Sequence, residues 1–178
     1  WQVVVGKCLG QAAILAVATV IGYGAAAAAL GLKAGVGPHA WLDYAAMVLT
    51  SIMLGASFVS LGCLASTLVH ERATAAGIAV GLWLFFVLIY DTALLGVLVA
   101  DQGRIVSASV LDALLLLNPA DVYRLFNMTA SHAVSVYSGM AGPGDPASFP
   151  APVFLAVLAA WIVVPMAIAI VAFRSRPL

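Results

Sequence analysis

Between Ile78 and Ala100 the chain reads IAVGLWLFFVLIYDTALLGVLVA. A helix needs about 20 apolar residues to cross the hydrocarbon core of a bilayer, and this stretch supplies them. It holds a single acid, Asp91. A carboxylate facing lipid is costly, so Asp91 must face protein or a water-filled cavity, which points toward transport rather than simple anchoring. Its helical neighbours Leu84, Val87, Leu88, Leu94, Leu95 and Leu98 are all apolar. A partner must therefore come from another helix, the outer loop or a second protomer. Asp91 lies about 17 residues into its span, or about 26 Å at ~1.5 Å per residue, in the outer half of the bilayer. Three roles fit it: a hydrogen-bonded acid holding the outer end together, part of a substrate or gating cavity, or a proton relay. The relay is the least favoured, because the sequence offers no second buried acid or histidine beside it.

The rest of the chain agrees with this reading. Of 178 residues, 65% are hydrophobic and 8% charged, and the mean hydropathy is +1.15. Soluble domains carry about a quarter charged residues. A net charge of zero gives no footing for nucleic acid. Four segments are long enough to span: near Lys7–Leu32, Trp41–Leu68, Ala73–Ala100 and Pro152–Phe173. They should be helical, since lipid offers no partner for free backbone groups. The expected fold class is an all-α integral membrane protein, a single transmembrane domain over residues 1–178, with short outer re-entrant or interfacial helices. The chain opens on Trp1 without an initiator Met or a signal-peptide pattern, and reads as the C-terminal part of a longer protein. Cys8 and Cys63 fall in apolar runs and read as small buried residues rather than a disulfide pair.

Basic residues set an orientation. Lys7 precedes the first span, Arg72 sits in the turn His70-Glu71-Arg72, and Arg174 and Arg176 follow the last span. If each segment crosses once, these share a side, and the positive-inside rule makes that side cytoplasmic. Lys33 and Arg104 fall on the other side, near Asp43 and Asp101. Gly6-xxx-Gly10 and Gly77-xxx-Gly81 are candidate helix contacts, a motif that chance also produces in so Ala- and Gly-rich a chain. The second span carries Thr50, Met53, Ser57, Ser60 and Thr67 at helical spacing. Interhelical hydrogen bonding is the plainer reading of this stripe, and a cavity wall the sharper one.

The outer segment, residues 101–151, is not uniform. Ile105–Leu117 is apolar but too short to cross, and suits an interfacial or re-entrant piece. Asn118 is a good N-cap, Pro119 fits the first helical position, and Asp121 complements a helix N-terminus. A helix is expected over Pro119–Val136. Its apolar face would be Val122, Leu125, Phe126, Thr129 and Ala133. Asp121, Arg124, Asn127, Met128, Ser131 and His132 would meet water or a partner protein. Met128 and His132 offer thioether and imidazole to a soft metal such as Cu(I), although two ligands make a thin set and ordinary packing explains them as well. Gly139–Pro152 is turn-rich and should be irregular. No P-loop, zinc pattern or Ser/His/Asp arrangement is present, and no catalytic residue is expected.

Three stretches carry a family resemblance: VVVGKCLGQ at residues 3–11, HERATAAG at residues 70–77, and LLLLNPADVYRLFNMT at residues 114–129. Together they resemble ABC-2-type exporter permeases, in particular those of the transporter that matures nitrous oxide reductase. The resemblance implies six spans per subunit, of which these would be the last four. It also implies a homodimer, a cytoplasmic ATPase subunit holding ATP and Mg, a periplasmic accessory protein, and the bacterial inner membrane. His70, Glu71 and Arg72 would form a contact with the ATPase. Asp91, Ser57 and Ser60 would be the intramembrane polar residues. Asp121, Arg124, Met128 and His132 would belong to an outer docking platform. Two other classes fit the residues: an ion-coupled secondary transporter using Asp91, and a membrane assembly subunit that moves nothing.

Overall fold

A computed structural model describes residues 2–33, 38–69, 71–101, 108–130 and 149–174. These form α1 (Gln2–Lys33), α2 (Pro38–Leu68), α3 (Arg72–Leu84), a π-helical segment (Phe85–Ile89), α4 (Tyr90–Asp101), α5 (Ala108–Leu116), α6 (Pro119–Ala130) and α7 (Ala151–Arg174). No strand occurs among the described residues. Four helical stretches are long and apolar enough to cross a membrane: Val5–Ala29, Trp41–Leu68, Arg72–Asp101 and Ala151–Arg174. These match the four spans expected from hydropathy. The expected extension of the outer helix to Val136 lies outside the described residues.

α2 is the centre of the bundle and packs against α1, α3 and α7. Its buried positions include Thr50, Ser57, Ser60, Leu61, Cys63 and Ala65. The hydroxyls on this face return to their own helix. Thr50 donates to the Ala46 carbonyl at 2.9 Å and Ser57 to that of Met53 at 2.9 Å. This back-bonding removes the cost of an unpaired hydroxyl in an apolar interior. Ser57 is thus satisfied within its own helix, and Ser60 is buried beside it. Thr67, at the inner end of the stripe, does line a cavity.

Two expectations about helix contacts change. Gly6, Gly10, Gly77 and Gly81 meet nothing within 4 Å where a Cβ would stand. The close approach occurs at Gly55, where a Cβ would come within 2.5 Å of Leu15 Cδ2. Small residues favour such contacts only where a partner helix lies over them, and sequence spacing cannot say which face that is. Cys8 and Cys63 are buried as expected, but they are joined by a disulfide, with Cα atoms 6.4 Å apart. Both fall at the same level of the α1–α2 contact, so two side chains that look unrelated along the chain meet across it.

α6 lies against α2, α7 and the π-helical segment. Val122 and Phe126 pack with Phe154 and Leu158 of α7 to form a core cluster, joined by Met53 and Leu116. Of the apolar face expected from the sequence, Val122, Leu125 and Phe126 thus rest on protein, and Ala133 lies outside the described residues.

Filling the Gly55 notch should push α1 from α2. Gly55→Leu in the complete protein is expected to cost about 1–3 kcal/mol, as overpacking does. Thermal unfolding in detergent checks this, with Gly81→Leu, which meets open space in this chain, as the near-neutral control.

Candidate functional site

The polar groups of the outer half converge where the third span widens. The Tyr90 N–H reaches back five residues to the Phe85 carbonyl, the signature of a π-turn. A π-turn shifts the hydrogen-bond register and leaves a carbonyl seeking another donor. Asn118 supplies one: its side-chain N–H donates to the Phe86 carbonyl at 2.8 Å. Tyr90 extends the contact by donating its hydroxyl to the Leu114 carbonyl at 2.7 Å. α5 and α6 therefore form a hairpin whose Asn118-Pro119 corner reaches the level of Phe86, about 15 residues or ~22 Å below the outer end of α4 at ~1.5 Å per residue. The hairpin is re-entrant, one of the two forms the short apolar stretch allowed.

Asn118 is completely buried. Besides Phe86, its amide group donates to Asp121 Oδ2 at 2.8 Å, and its Oδ1 accepts the Ala120 N–H at 3.0 Å. The latter is the N-cap expected of Asn118, and the former two bonds link the cap to span and hairpin together. Arg124 bridges the acids. It pairs with Asp91 and donates to Asp121 Oδ1 at 3.1 Å. The Asp91 pairing holds the Arg124 guanidinium above its ordinary pKa.

Asp121 departs from expectation. It is buried, not presented on a water-facing surface. Burial, and then hydrogen bonding to and repulsion by Asp91, raise its pKa from 3.8 to about 6, against the lowering influence of Asn118 and Arg124. The second acid that the sequence failed to place beside Asp91 is thus Asp121, 30 positions along the chain and brought in by the hairpin. Arg124, expected to meet water or a partner protein, already holds two carboxylates of its own chain, though its side chain stays 44% exposed.

A second polar seam runs beside the first. Tyr123 and Ser51 share a hydroxyl hydrogen bond of 3.0 Å, Ser51 donates to the Tyr23 hydroxyl at 3.3 Å, and Asn127 donates to Thr50 Oγ1 at 3.1 Å. Tyr44 donates to the Tyr23 carbonyl. The seam ties α6 to α1 and α2, and no sequence spacing announced it. Asn127, expected on the water-facing side, is spent here. Met128 is exposed, and His132 lies outside the described residues. No group of three His, Cys, Asp or Glu side chains gathers as a metal site among the described residues.

At the opposite end, Glu71 and Arg72 are exposed, and His70 lies outside the described residues. Glu71 precedes the first turn of α3 and accepts a hydrogen bond from Thr74 Oγ1 at 2.8 Å. Lys7 and Arg72 line one cavity of about 600 Å³ together with Phe173, the neighbour of Arg174. Of the cationic residues used to orient the chain, Lys7, Arg72 and Arg174 thus gather at one end of the bundle, and Arg176 lies outside the described residues.

A family model described as "ABC-2 family transporter protein" matches residues 1–178. The chain belongs to the ABC-2 transporter family. It is similar to the "Probable ABC transporter permease protein NosY" of Stutzerimonas stutzeri, with 38% identity over 98% of this chain and 64% of that protein. It is likewise similar to the protein of the same name from Pseudomonas aeruginosa PAO1, with 40% identity over 99% of this chain and 64% of that protein. The chain spans about 64% of the length of these relatives. As an ABC-2 family member with four span-length apolar helices, it is a multi-pass protein of the bacterial inner membrane. In this ABC-2 chain the outer re-entrant hairpin is bonded directly to a π-turn within a span.

Two outcomes follow. Asn118→Ala orphans the Phe86 carbonyl and should cost about 1–3 kcal/mol. Asp91→Leu should cost a similar amount, whereas Asp91→Asn, which can still accept from Arg124, should retain most stability. Unfolding of the complete protein in detergent measures all three. The pH dependence has a definite sign. Between its ordinary value of 3.8 and about 6, Asp121 holds its proton in the folded chain and not in the unfolded one. Its contribution to stability therefore falls as pH rises through that window and levels off above it. Asp121→Asn should remove this slope from a melting series between about pH 4 and 7.

Proposed function

We propose that this chain is the membrane-spanning part of an ABC-2-type exporter subunit that supports maturation of the copper enzyme nitrous oxide reductase. The observation carrying this reading is the 38–40% identity to two NosY permeases over nearly the whole chain. The cationic end, with Lys7, Arg72 and Arg174, is cytoplasmic in this reading. Beneath it sits a separate ATPase subunit that binds ATP and Mg and supplies the hydrolysis. The exposed Glu71 and Arg72 form part of the contact, with His70 beside them. The subunit pairs with a second copy of itself, and the outer hairpin receives a periplasmic accessory protein through the exposed side of Arg124, Met128 and the residues that follow toward His132.

The structure lends this reading a mechanical rationale. The hairpin is joined to the third span through Asn118–Phe86 and Arg124–Asp91. That span begins at the Glu71–Arg72 turn. A push at the turn therefore has a continuous helical route to the outer surface. A secondary transporter using Asp91 as its coupling acid is less favoured, because Asp91 is engaged by Arg124.

The test is removal of the complete protein from its host. Nitrous oxide reductase should still be made but should lack copper and activity, and the complete protein should restore both. Reversing charge at Glu71 and Arg72 should lower stimulation of the copurified ATPase several-fold without loss of folded protein. A fully copper-loaded, active reductase in the deletion strain would overturn the maturation role.

A further inference from the structure

The Cys8–Cys63 disulfide lies in the wall of the cavity that Lys7 and Arg72 line. This combination serves nothing described above. The cavity holds about 600 Å³, ample for a small molecule. Gln11 and Thr67 add hydrogen-bonding groups to its wall, and Ala75, Ala76 and Ala79 leave it open on the α3 side. Two cations and no acid among its lining residues make it a site for anions. With this end toward the cytoplasm, the disulfide faces a compartment that keeps thiols reduced, where disulfides are usually transient, catalytic or redox-sensing.

We propose that this cavity admits small anionic thiols and their disulfides, which exchange with Cys8–Cys63 and so release or refasten α1 against α2. The chemistry balances as ordinary exchange. A thiolate entering the cavity attacks one sulfur of the bridge, forming a mixed disulfide and expelling the other cysteine as a thiolate. A second small thiolate attacks the mixed disulfide. The products are one small-molecule disulfide, oxidised by loss of two electrons, and two protein thiols, which carry those electrons after uptake of two protons. The reverse reaction, with an anionic disulfide as oxidant, restores the bridge. Lys7 and Arg72 concentrate the negatively charged reagent and stabilise the thiolate that departs, since neighbouring cations lower a thiol's pKa.

Opening the bridge would leave α1 held to α2 by the Leu15–Gly55 contact and the Tyr23–Tyr44–Ser51 hydrogen bonds. Both lie farther along the helices toward the outer end, so the inner end of α1 is the part set free. That end lies beside Arg72, the first residue of α3. The redox state of the pair would thus alter the surface next to the proposed ATPase contact.

The proposal rests on the orientation given under Proposed function, but its chemistry is tested without it. The complete protein in detergent is reacted with reduced glutathione, which is anionic, and with neutral 2-mercaptoethanol. Opening of the bridge is followed by mass after alkylation, and rates are corrected for thiolate fraction. Glutathione should react about tenfold faster at low salt, the advantage shrinking as salt screens the cations. Lys7→Gln with Arg72→Gln should abolish the preference while leaving the 2-mercaptoethanol rate within about twofold. If that double variant does not fold, the salt dependence of the wild type decides the matter. Equal rates for the two thiols, or a cysteine pair that oxidised glutathione cannot join, would overturn the proposal. Sealed vesicles of known sidedness, treated with glutathione outside, test the orientation separately. Copper loading of the reductase bears only on the maturation role.

Discussion

A backbone carbonyl within a bilayer has no water to turn to, and the architecture of the outer half follows from how that is handled at Phe86. The π-turn offers this carbonyl, and Asn118 takes it. Because Asn118 also caps α6 and bonds Asp121, one buried amide joins the span, the hairpin corner and the acid–base group above it. An unpaired group at this depth costs about 1–3 kcal/mol, so the bond favours the depth at which the hairpin rests. Tyr90–Leu114, Arg124–Asp91 and the core around Leu116 hold the same level.

The charged residues obey the same accounting. Asp91 and Asp121 share one arginine, leaving a formal excess of one negative charge that burial penalises. The response is a raised pKa on Asp121, the more buried of the two. Arg124 remains partly exposed, so the cluster is closed toward the bundle and open on one side. The outer end is thus a hydrogen-bonded cluster that joins the hairpin to the third span. The inner end is differently made: cations, a cavity, and a covalent link between α1 and α2 in place of hydrogen bonds.

The number and extent of the spans, their helicity and a short outer apolar helix, interfacial or re-entrant, were all legible in the amino-acid order. These depend on local sums of transfer free energy, and a sum over neighbours needs no fold. The helix start at Asn118-Pro119 was legible for the same reason, since capping acts within one turn. So was the family, through three short stretches at residues 3–11, 70–77 and 114–129. What could not be read was which helix face meets which. Glycine spacing pointed to Gly6, Gly10, Gly77 and Gly81, yet the close contact is at Gly55. Amphipathic pattern set Asp121 and Asn127 toward water, yet both turn inward to polar groups on other helices. Cys8 and Cys63 looked like isolated small residues and meet across the α1–α2 contact. In each case the deciding partner lies at least 28 residues away in sequence, and only packing chooses among partners that the chain leaves equally possible. Sequence by itself determined that the chain crosses a membrane, where it does so and where its outer helix begins, because hydrophobic transfer and capping are local. Tertiary structure decided which polar groups satisfy one another, because in a low-dielectric interior every buried donor, acceptor and charge must find its partner wherever the fold can supply one.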